Sequence, residues 1–250
     1  MVLSALRGAL GFLTRLPVGH DEASWDAFRR TPVAFPLAGY VVGALLAVPV
    51  TLPAVLPLPA PVVGFLFVLW VVGLTGVTHL DGLADLGDAA VVHDPDRRRE
   101  VMKDAQVGVG GTVAVGLGLV GLAFAGLALA TLPPRTAAGL VVAAEGTAKL
   151  SMTGVAAFRT AAHEGLGSQV IGGAPRGFVA PALAALPALV LTWPSPAAAV
   201  GLLVGVLAAW LLARWVRGWL GGVSGDVLGA ANELARLAAL HAGIVVWTTV

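Results

Sequence analysis

The 250-residue sequence contains no cysteine, a single tyrosine and few charged residues. The absence of cysteine excludes disulfide bonds, thiolate metal ligands and cysteine nucleophiles. Asp, Glu, Lys and Arg together make up 12% of the chain, about half the share found in typical soluble proteins. So few charges cannot cover the surface of a soluble domain of this size, whereas a lipid environment removes that requirement. The composition therefore predicts a polytopic membrane protein.

The net charge and the N-terminal residues argue against two further features. The formal net charge is +1, so bulk electrostatics give no reason to expect binding to nucleic acid. Residues 1–18 carry Arg7 and Arg15 within an apolar stretch and have no small-residue cleavage site. We therefore expect no removable signal peptide, and residues 3–16, which are too short to cross a bilayer, should form an interfacial or re-entrant helix.

Long apolar runs predict an all-α fold, a membrane bundle of about seven transmembrane helices that forms one integral-membrane domain over residues 1–250. A helix needs about 20 mostly apolar residues to cross the hydrocarbon core of a bilayer. Proline-rich breaks separate several of the runs, as expected where a helix stops and the chain turns back. The seven runs cover residues 35–56, 61–77, 107–132, 137–158, 178–193, 197–215 and 230–250.

The distribution of Lys and Arg predicts the orientation, because cytoplasmic loops carry an excess of both residues. When the loops are assigned alternately to two sides, thirteen of the fifteen basic residues, Arg236 among them, fall on one side. Arg135 alone falls on the other side, and Lys149 lies inside a span. This asymmetry predicts a plasma-membrane protein with a cytoplasmic N-terminus, whose functional site faces the cytoplasm.

Carboxylates are concentrated where the second predicted span ends. Seven of the fourteen lie between Asp81 and Asp104, and Asp81, Asp85 and Asp88 are spaced four and seven residues apart along the chain. On a helix these three share one face, where like charges repel unless a cation lies among them. Oxygen ligands without cysteine favour Mg²⁺ or Mn²⁺. His79 projects away from that face, which disfavours zinc; the alternative interpretation is a solvated acidic helix end.

A second acidic pair, Asp226 and Glu233, begins in a glycine-rich segment that covers residues 221–229. The two residues are seven apart, which places them on one helical face at the start of the last predicted span. Taken alone, they are equally consistent with a helix N-cap and an exposed glutamate. Together with the three aspartates above, they predict a divalent-metal site that binds phosphates on the cytoplasmic side.

Several basic residues and one glycine are candidates for contacts with phosphate. Arg and Lys both suit a diphosphate, although a basic run beside a span is also typical of cytoplasmic loops. A glycine-rich turn before a helix presents backbone N–H groups to an anion. Lys149, four residues after Glu145 in the fourth predicted span, either pairs with that carboxylate or reaches a substrate phosphate. The candidates are Arg97, Arg98, Arg99, Lys103, Lys149 and Gly108.

With these residues assembled, the chain resembles the cobalamin synthase family, the adenosylcobinamide-GDP ribazoletransferases, over nearly its whole length. The most specific motif is His79-Leu80-Asp81-Gly82-Leu83-Ala84-Asp85 with Asp88. Further motifs lie at residues 12–18, 35–39, 102–104 with Gly108, 164–167, and 225–230 with Glu233. The chain departs from the family pattern at three places. Ala105 and Gln106 stand where Ser and Arg are common, Lys149 stands for an Arg, and no Arg directly precedes Glu164.

The resemblance implies a reaction. A ribose hydroxyl group of α-ribazole, or of α-ribazole 5′-phosphate, attacks the cobinamide-side phosphorus of adenosylcobinamide-GDP. GMP leaves, and adenosylcobalamin or its 5′-phosphate forms. Mg²⁺ is the implied cofactor, with Mn²⁺ as a substitute, because transfer from a diphosphate accumulates negative charge. Asp81 and Asp85 are then both catalytic and metal-binding, with Asp88, Asp226 and Glu233 as further ligands.

The same resemblance implies roles for other residues. Asp104 is a further metal ligand or a general base, and Arg15 contacts substrate. For His79, removal of the proton from the attacking hydroxyl and a hydrogen-bonded position inside the bundle are both open. The expected partners are the two substrates and the lipid bilayer; nucleic acid is not expected, and an oligomer is left open.

Two other functions are alternatives. A CDP-alcohol phosphotransferase uses similar aspartate chemistry, and residues 81–84 match the start of its motif, but Asp85 stands where that motif has Arg and the trailing motif is absent. A secondary transporter has intramembrane acids near the bilayer midplane between two related halves. Here the acids cluster at one mouth of the bundle, and no inverted repeat is visible in the sequence.

Overall fold

The computed structural model describes residues 2–19, 21–104, 106–172 and 175–250. Within these ranges the regular structure is helical apart from one isolated bridge between Ala161 and Val223, which confirms the predicted all-α class. The α-helices are α1 (Val2–Leu13), α2 (Glu22–Arg29), α3 (Ala34–Leu46), α4 (Val48–Thr51), α5 (Ala60–Thr75), α6 (Thr78–Ala90), α7 (Pro95–Val101), α8 (Val109–Leu129), α9 (Pro134–Ala157), α10 (Val179–Ala185), α11 (Ala197–Leu220) and α12 (Gly225–Thr249). Short 3-10 helices lie at Leu52–Ala54, Gly167–Gln169, Pro175–Phe178 and Leu186–Val190.

Two of these helices, α8 and α11, are each long and apolar enough to cross a membrane. Two bent pairs reach the same length and composition together, namely α3 with Val48–Ala54, bent by 43°, and α5 with α6, bent by 101°. The described residues thus contain two to four spans by length and composition, and the predicted polytopic helical class is confirmed. Because α6 runs nearly at right angles to α5, we treat α5 as the crossing segment and α6 as lying across its end.

The span count differs from the seven predicted runs for physical reasons. Helices α9 and α12 contain 24 and 25 residues, which is long enough, but ionisable side chains lower their mean hydropathy. Residues 178–193 do not form one helix, because α10 gives way at Leu186 to a 3-10 helix that contains Pro187. A proline inside a helix removes one hydrogen bond and clashes with the preceding turn. Pro49 lies similarly just after the bend between α3 and α4.

One basic residue in the orientation count, Arg236, is buried inside the bundle. Arg236 is inside α12, is 1% exposed and pairs with Glu145 and Glu233. Its assignment to a cytoplasmic loop is therefore wrong. The other twelve basic residues keep the side that the seven predicted runs gave them, opposite Arg135, and the orientation stays a prediction.

Helix α12 lies at the centre of the bundle, where it packs against α6, α8, α9 and α11. Gly201 and Gly205 of α11 face the backbone of α12. A Cβ on Gly201 would lie 2.7 Å from the carbonyl oxygen of Ala239, and a Cβ on Gly205 would lie 2.7 Å from that of Ala235. Small residues at such contacts let two helix backbones approach closely in membrane bundles. The N-terminal end of α12 meets α6, which carries the first acidic motif.

The N-terminal segment forms a helix, α1, whose 12 residues span about 18 Å and cannot cross a bilayer. Four aromatic rings join α1 to α2 and α3, with centroid separations of 4.7 to 5.8 Å, and they belong to Phe12, Trp25, Phe28 and Phe35. This cluster holds α1 against the bundle beside the end of α6, so Phe12 and Phe35 help to line the candidate site.

Candidate active site

The first turns of α6 and α12 touch at Gly82 and Asp226. A Cβ on Gly82 would lie 2.3 Å from the carbonyl oxygen of Asp226, so the two backbones meet without room for a side chain. Gly229, one turn further along α12, lies against the start of α6, where a Cβ would be 3.0 Å from the Cα of His79. These two contacts bring the aspartates of α6 beside an aspartate from the distant C-terminal motif.

The Gly82 contact makes a direct prediction. Gly82→Ala is expected to cost about 1–3 kcal/mol of unfolding free energy, because the added methyl group overpacks the α6–α12 contact. Gly73→Ala in α5 is the matched control, since a Cβ there meets no atom within 4 Å, and alanine favours a helix. Thermal unfolding in detergent should show a lower midpoint for Gly82→Ala only. Equal midpoints for that variant and the wild type would contradict the contact.

Negative charge accumulates where α6 meets α12. Burial and the nearby carboxylates of Asp226, Asp81 and Asp88 raise the pKa of Asp85, which is half-buried, to about 7. In the described part of the chain, no Lys or Arg forms an ion pair with Asp81, Asp85 or Asp226. Carboxylate oxygens without a cationic partner are the donor chemistry that a hard divalent cation requires.

The geometry of the carboxylates is not that of a closed metal site. Among the residues that the structure describes, no three His, Asp or Glu side chains are grouped closely enough to hold one ion together. The donors fit a divalent cation in type and charge, while side-chain movement would be needed to enclose it. The metal ligand set therefore stays a prediction.

Asp88 differs from its predicted use as a metal ligand. Its two carboxylate oxygens accept hydrogen bonds from the backbone amides of Gly108 (2.7 Å) and Gly111 (2.8 Å). These amides open α8, where the helix dipole favours a negative charge. The anion site predicted at Gly108 does exist, but its anion is Asp88 rather than a substrate phosphate. A Cβ on Gly108 would lie 2.5 Å from Asp88 Oδ1, which explains the glycine.

Lys149 and Glu233 lie in a buried ionic network. Lys149 Nζ is fully buried and donates to Glu145 Oε2 (3.0 Å) and Asn232 Oδ1 (2.7 Å). Arg236 Nη1 lies 2.8 and 2.6 Å from the two oxygens of Glu233, and Arg236 Nε donates to Glu145. Two cations thus balance two carboxylates. The network favours the ion-pair interpretation of Lys149 over a phosphate contact. Both oxygens of Glu233 pair with Arg236, unlike the carboxylates of Asp81, Asp85 and Asp226.

His79 connects this network to a cavity. Asn232 Nδ2 lies 3.2 Å from His79 Nδ1 and 3.0 Å from Glu233 Oε1. His79 is 8% exposed and forms part of the cavity wall. As the helical spacing predicted, His79 does not share the position of Asp81, which faces a different space described below.

The cavity beside His79 has a volume of about 300 Å³. Phe12 and Phe35 line one side, and Thr78, Asp226 and residues 165–168 line others. The 160–170 loop is held against the start of α12 by the Ala161–Val223 bridge. Residues 165–167, singled out only through the family resemblance, therefore lie at the same site as the C-terminal acidic motif.

An open groove of about 580 Å³ lies between α5, α6 and α8. Its lining is mostly apolar and includes Asp81 and Thr112. Asp81 thus faces the groove and Asp226 faces the cavity, while Asp85 is close enough to both for their charges to shift its pKa. The carboxylates stand between two spaces, an arrangement that can bring two substrates together.

Two residues of the predicted basic phosphate site are engaged elsewhere. Arg98 donates to the carbonyl oxygen of Val92 and lies 5.5 and 5.8 Å from the ring centroids of Trp215 and Trp219, so it holds α7 against α11. Arg99 pairs with Asp96 at 2.6 Å, within α7 itself. Both contacts position α7 and leave these two guanidinium groups less suited to a substrate phosphate than the sequence suggested.

Four other predicted site residues are exposed, namely Arg15, Arg97, Lys103 and Asp104. The Arg15 side chain lies against Gly76 at the corner between α5 and α6, where a Cβ would be 3.5 Å from its Cδ. The Oδ1 of Asp104 accepts a hydrogen bond from the backbone amide of Gln106. Within the described ranges Asp104 forms no hydrogen bond with the aspartates of α6. Ala105, one of the departures from the family pattern, lies outside the described residues.

Sequence reasoning missed three polar residues at or beside the site. Asn232 links Lys149 to His79, and its signal was a polar side chain within a predicted span. Arg236 lies three residues after Glu233, a spacing that allows an ion pair on one helix. Ser224 caps α12 by accepting from the amide of Val227 and donates to the Asp226 carboxylate at 3.1 Å. The serine, rather than Asp226, is the N-cap.

Fold and site together define the class, an all-helical membrane protein whose distant acidic motifs converge between two ligand-sized spaces. Comparison with known families identifies the member of that class. The model of the family described as Cobalamin-5-phosphate synthase matches residues 5–244. The chain belongs to the cobalamin-5-phosphate synthase family, which confirms the family predicted from the motifs.

Curated relatives cover nearly the whole chain. Three examples, each named adenosylcobinamide-GDP ribazoletransferase, show the extent of the similarity. The relative from Halorubrum lacusprofundi is 53% identical and the one from Haloquadratum walsbyi is 47% identical, each match covering 99% of both chains. The relative from Deinococcus radiodurans is 39% identical over 94% of this chain and 84% of its own length. No solved structure matches the chain.

Proposed function

We propose that this protein transfers the cobinamide phosphate group of adenosylcobinamide-GDP to α-ribazole or α-ribazole 5′-phosphate. GMP leaves, and adenosylcobalamin or its 5′-phosphate is the product, which completes the nucleotide loop. The observation that carries the proposal is the family match over residues 5–244, together with relatives of this named activity that align over 99% of the chain.

We propose that Asp81, Asp85 and Asp226 would hold the divalent cation, Mg²⁺ or Mn²⁺. A bound ion would neutralise charge on the phosphate oxygens as GMP leaves. Support comes from the convergence of these carboxylates, from their lack of Lys or Arg partners in the described residues and from the raised pKa of Asp85. Asp88 and Glu233 are committed to α8 and Arg236, so we assign them supporting roles.

The two spaces beside the carboxylates suit two substrates of different size. We assign the larger, open and mostly apolar groove to the bulky corrinoid, and the 300 Å³ cavity to the smaller α-ribazole. In the cavity, Thr78 offers a hydroxyl group, and Phe12 and Phe35 offer apolar surface to a heteroaromatic base. An acceptor held there and a diphosphate in the groove would meet beside Asp85.

We place the site on the cytoplasmic side of the plasma membrane. The retained excess of Lys and Arg on one side supports this orientation. Arg97 on α7 and Lys103 just after α7 are exposed, so they would attract the anionic substrates without being buried in the site. Oligomeric state is left open by these observations.

A turnover assay tests the proposed reaction. Purified protein in detergent, given adenosylcobinamide-GDP, α-ribazole and Mg²⁺, should release GMP, and chelation of the metal by EDTA should stop release until Mg²⁺ is restored. Flux of substrate into liposomes without GMP release would favour a transporter instead. Transfer from a CDP-alcohol, with no GMP from the corrinoid, would favour the CDP-alcohol phosphotransferase alternative.

A further inference from the structure

Asn232 is held in one orientation by the charges around it. Its Oδ1 accepts from Lys149 Nζ at 2.7 Å, and its Nδ2 donates to Glu233 Oε1 at 3.0 Å. The reversed amide would place an NH₂ group against an ammonium group and a carbonyl oxygen against a carboxylate. Both contacts are buried, so water could not compensate for either unfavourable contact of the reversed amide. The position of Nδ2 beside His79 therefore follows from the ionic network.

This orientation determines which nitrogen of His79 carries the proton. Asn232 Nδ2 has a second N–H, which points to His79 Nδ1 at 3.2 Å. An amide NH₂ group can only donate, so Nδ1 must accept and carry no proton. In a neutral imidazole the proton is then on Nε2. Within the described residues Nε2 forms no hydrogen bond, and the ring lines the 300 Å³ cavity.

We infer that Asn232 is a positioning residue that holds His79 as the Nε2–H tautomer, so that His79 donates a hydrogen bond to an oxygen of the bound substrate. The inference rests on the proposed function for the identity of that substrate. Of the two roles that the sequence left open for His79, the inference assigns the hydrogen-bonded position inside the bundle and adds a hydrogen bond from His79 to the substrate. His79 is hydrogen-bonded inside the bundle on one edge and presents a donor on the other.

The same geometry excludes His79 as the base for the attacking hydroxyl. A general base needs an available lone pair, yet the Nδ1 lone pair is used by Asn232 and Nε2 carries hydrogen. The cations Lys149 and Arg236 disfavour a second proton on the ring. The Glu233 carboxylate, 3.8 Å from Nδ1, would favour such a proton, but its oxygens already accept hydrogen bonds from Arg236 and Asn232. Gly229 keeps α12 close enough to α6 for the contact to persist.

The tautomer can be measured without any turnover. Protein labelled with ¹⁵N-histidine, in detergent, should show a His79 ring with Nε2 protonated and Nδ1 unprotonated in long-range ¹H–¹⁵N spectra, with His79→Gln used to assign the signal. Asn232→Asp can only accept, so it should move the proton to Nδ1. An Nδ1–H ring or an imidazolium in the wild type would overturn the inference, whether or not the protein releases GMP.

Turnover separates a donor from a base. Gln carries an amide nitrogen near the position of histidine Nε2, so we expect His79→Gln to stay within about tenfold of wild-type GMP release and His79→Ala to lose a further 10-fold or more. A base cannot be replaced by an amide, so equal losses in both variants would overturn the donor role. Asn232→Asp should lower release in the wild type but much less in the His79→Gln background, an interaction that general structural damage would not produce. If Asn232→Asp does not yield folded protein, the inference is still tested by the tautomer of His79 in the wild type and by the rates of His79→Gln and His79→Ala.

Discussion

Asp85→Asn is expected to lower GMP release by about 10²–10³-fold or more, with little change in the thermal midpoint. Asn retains the shape of the side chain and one oxygen but loses the charge that a divalent cation needs, and a metal contributes several kcal/mol to phosphoryl transfer. Asp85 is the residue whose pKa both Asp81 and Asp226 affect, so it lies nearest the middle of the acidic cluster. Initial rates at saturating substrate measure the effect.

Matched variants separate charge at the site from charge elsewhere. Asp96→Asn removes a carboxylate of α7 that is exposed and paired with Arg99, and we expect GMP release within about twofold of wild type because surface pairs contribute little. Asp88→Asn should instead lower the thermal midpoint, since its two bonds anchor α8. An Asp85→Asn enzyme that keeps half of the wild-type rate would remove the metal assignment.

Arg236→Met is expected to prevent accumulation of folded protein. The substitution leaves Glu145 and Glu233 buried with only Lys149 as a cation, and breaking a buried ion pair by removing one partner costs about 3–5 kcal/mol. Met retains much of the side-chain volume, so the lost charge dominates the effect. The yield of monodisperse protein in detergent and its thermal midpoint provide the measurement.

A double variant tests the charge balance of the network. Arg236→Met with Glu233→Gln removes one charge of each sign and leaves Lys149 opposite Glu145. We expect this pair of substitutions to recover most of the folded yield that Arg236→Met alone loses, because neutral buried groups cost far less than an unpaired charge. A double variant as poorly folded as the single one would show that the network acts by packing rather than by charge.

The sequence was sufficient to predict the helical membrane class and the meeting of the two acidic motifs. Composition sets the class, because so few charges suit only a lipid environment. Helical spacing predicted that Asp81 and Asp85 share one face. Asp226 was predicted to join them because its motif was assigned to the same side of the membrane. The structure adds the contact itself, in which Gly82 lets the two helix backbones touch.

Partners on neighbouring helices could not be predicted, because they depend on how the helices pack. Asp88 shares the spacing of the other aspartates, yet it turns to the amides of Gly108 and Gly111 once α8 lies beside α6. From the sequence, Arg236 was counted among the cytoplasmic cations, whereas in the structure it pairs with Glu145 of α9. Single-helix periodicity contains no information about these neighbouring helices.

Binding of Mn²⁺, followed by electron paramagnetic resonance in detergent, tests the central claim most directly. The wild-type protein should remove free Mn²⁺ from solution, and Asp85→Asn and Asp226→Asn should each weaken that binding at least tenfold, while Asp96→Asn binds as the wild type does. Unchanged Mn²⁺ binding in both Asp85→Asn and Asp226→Asn would contradict the claim that aspartates of α6 and α12 jointly bind the metal.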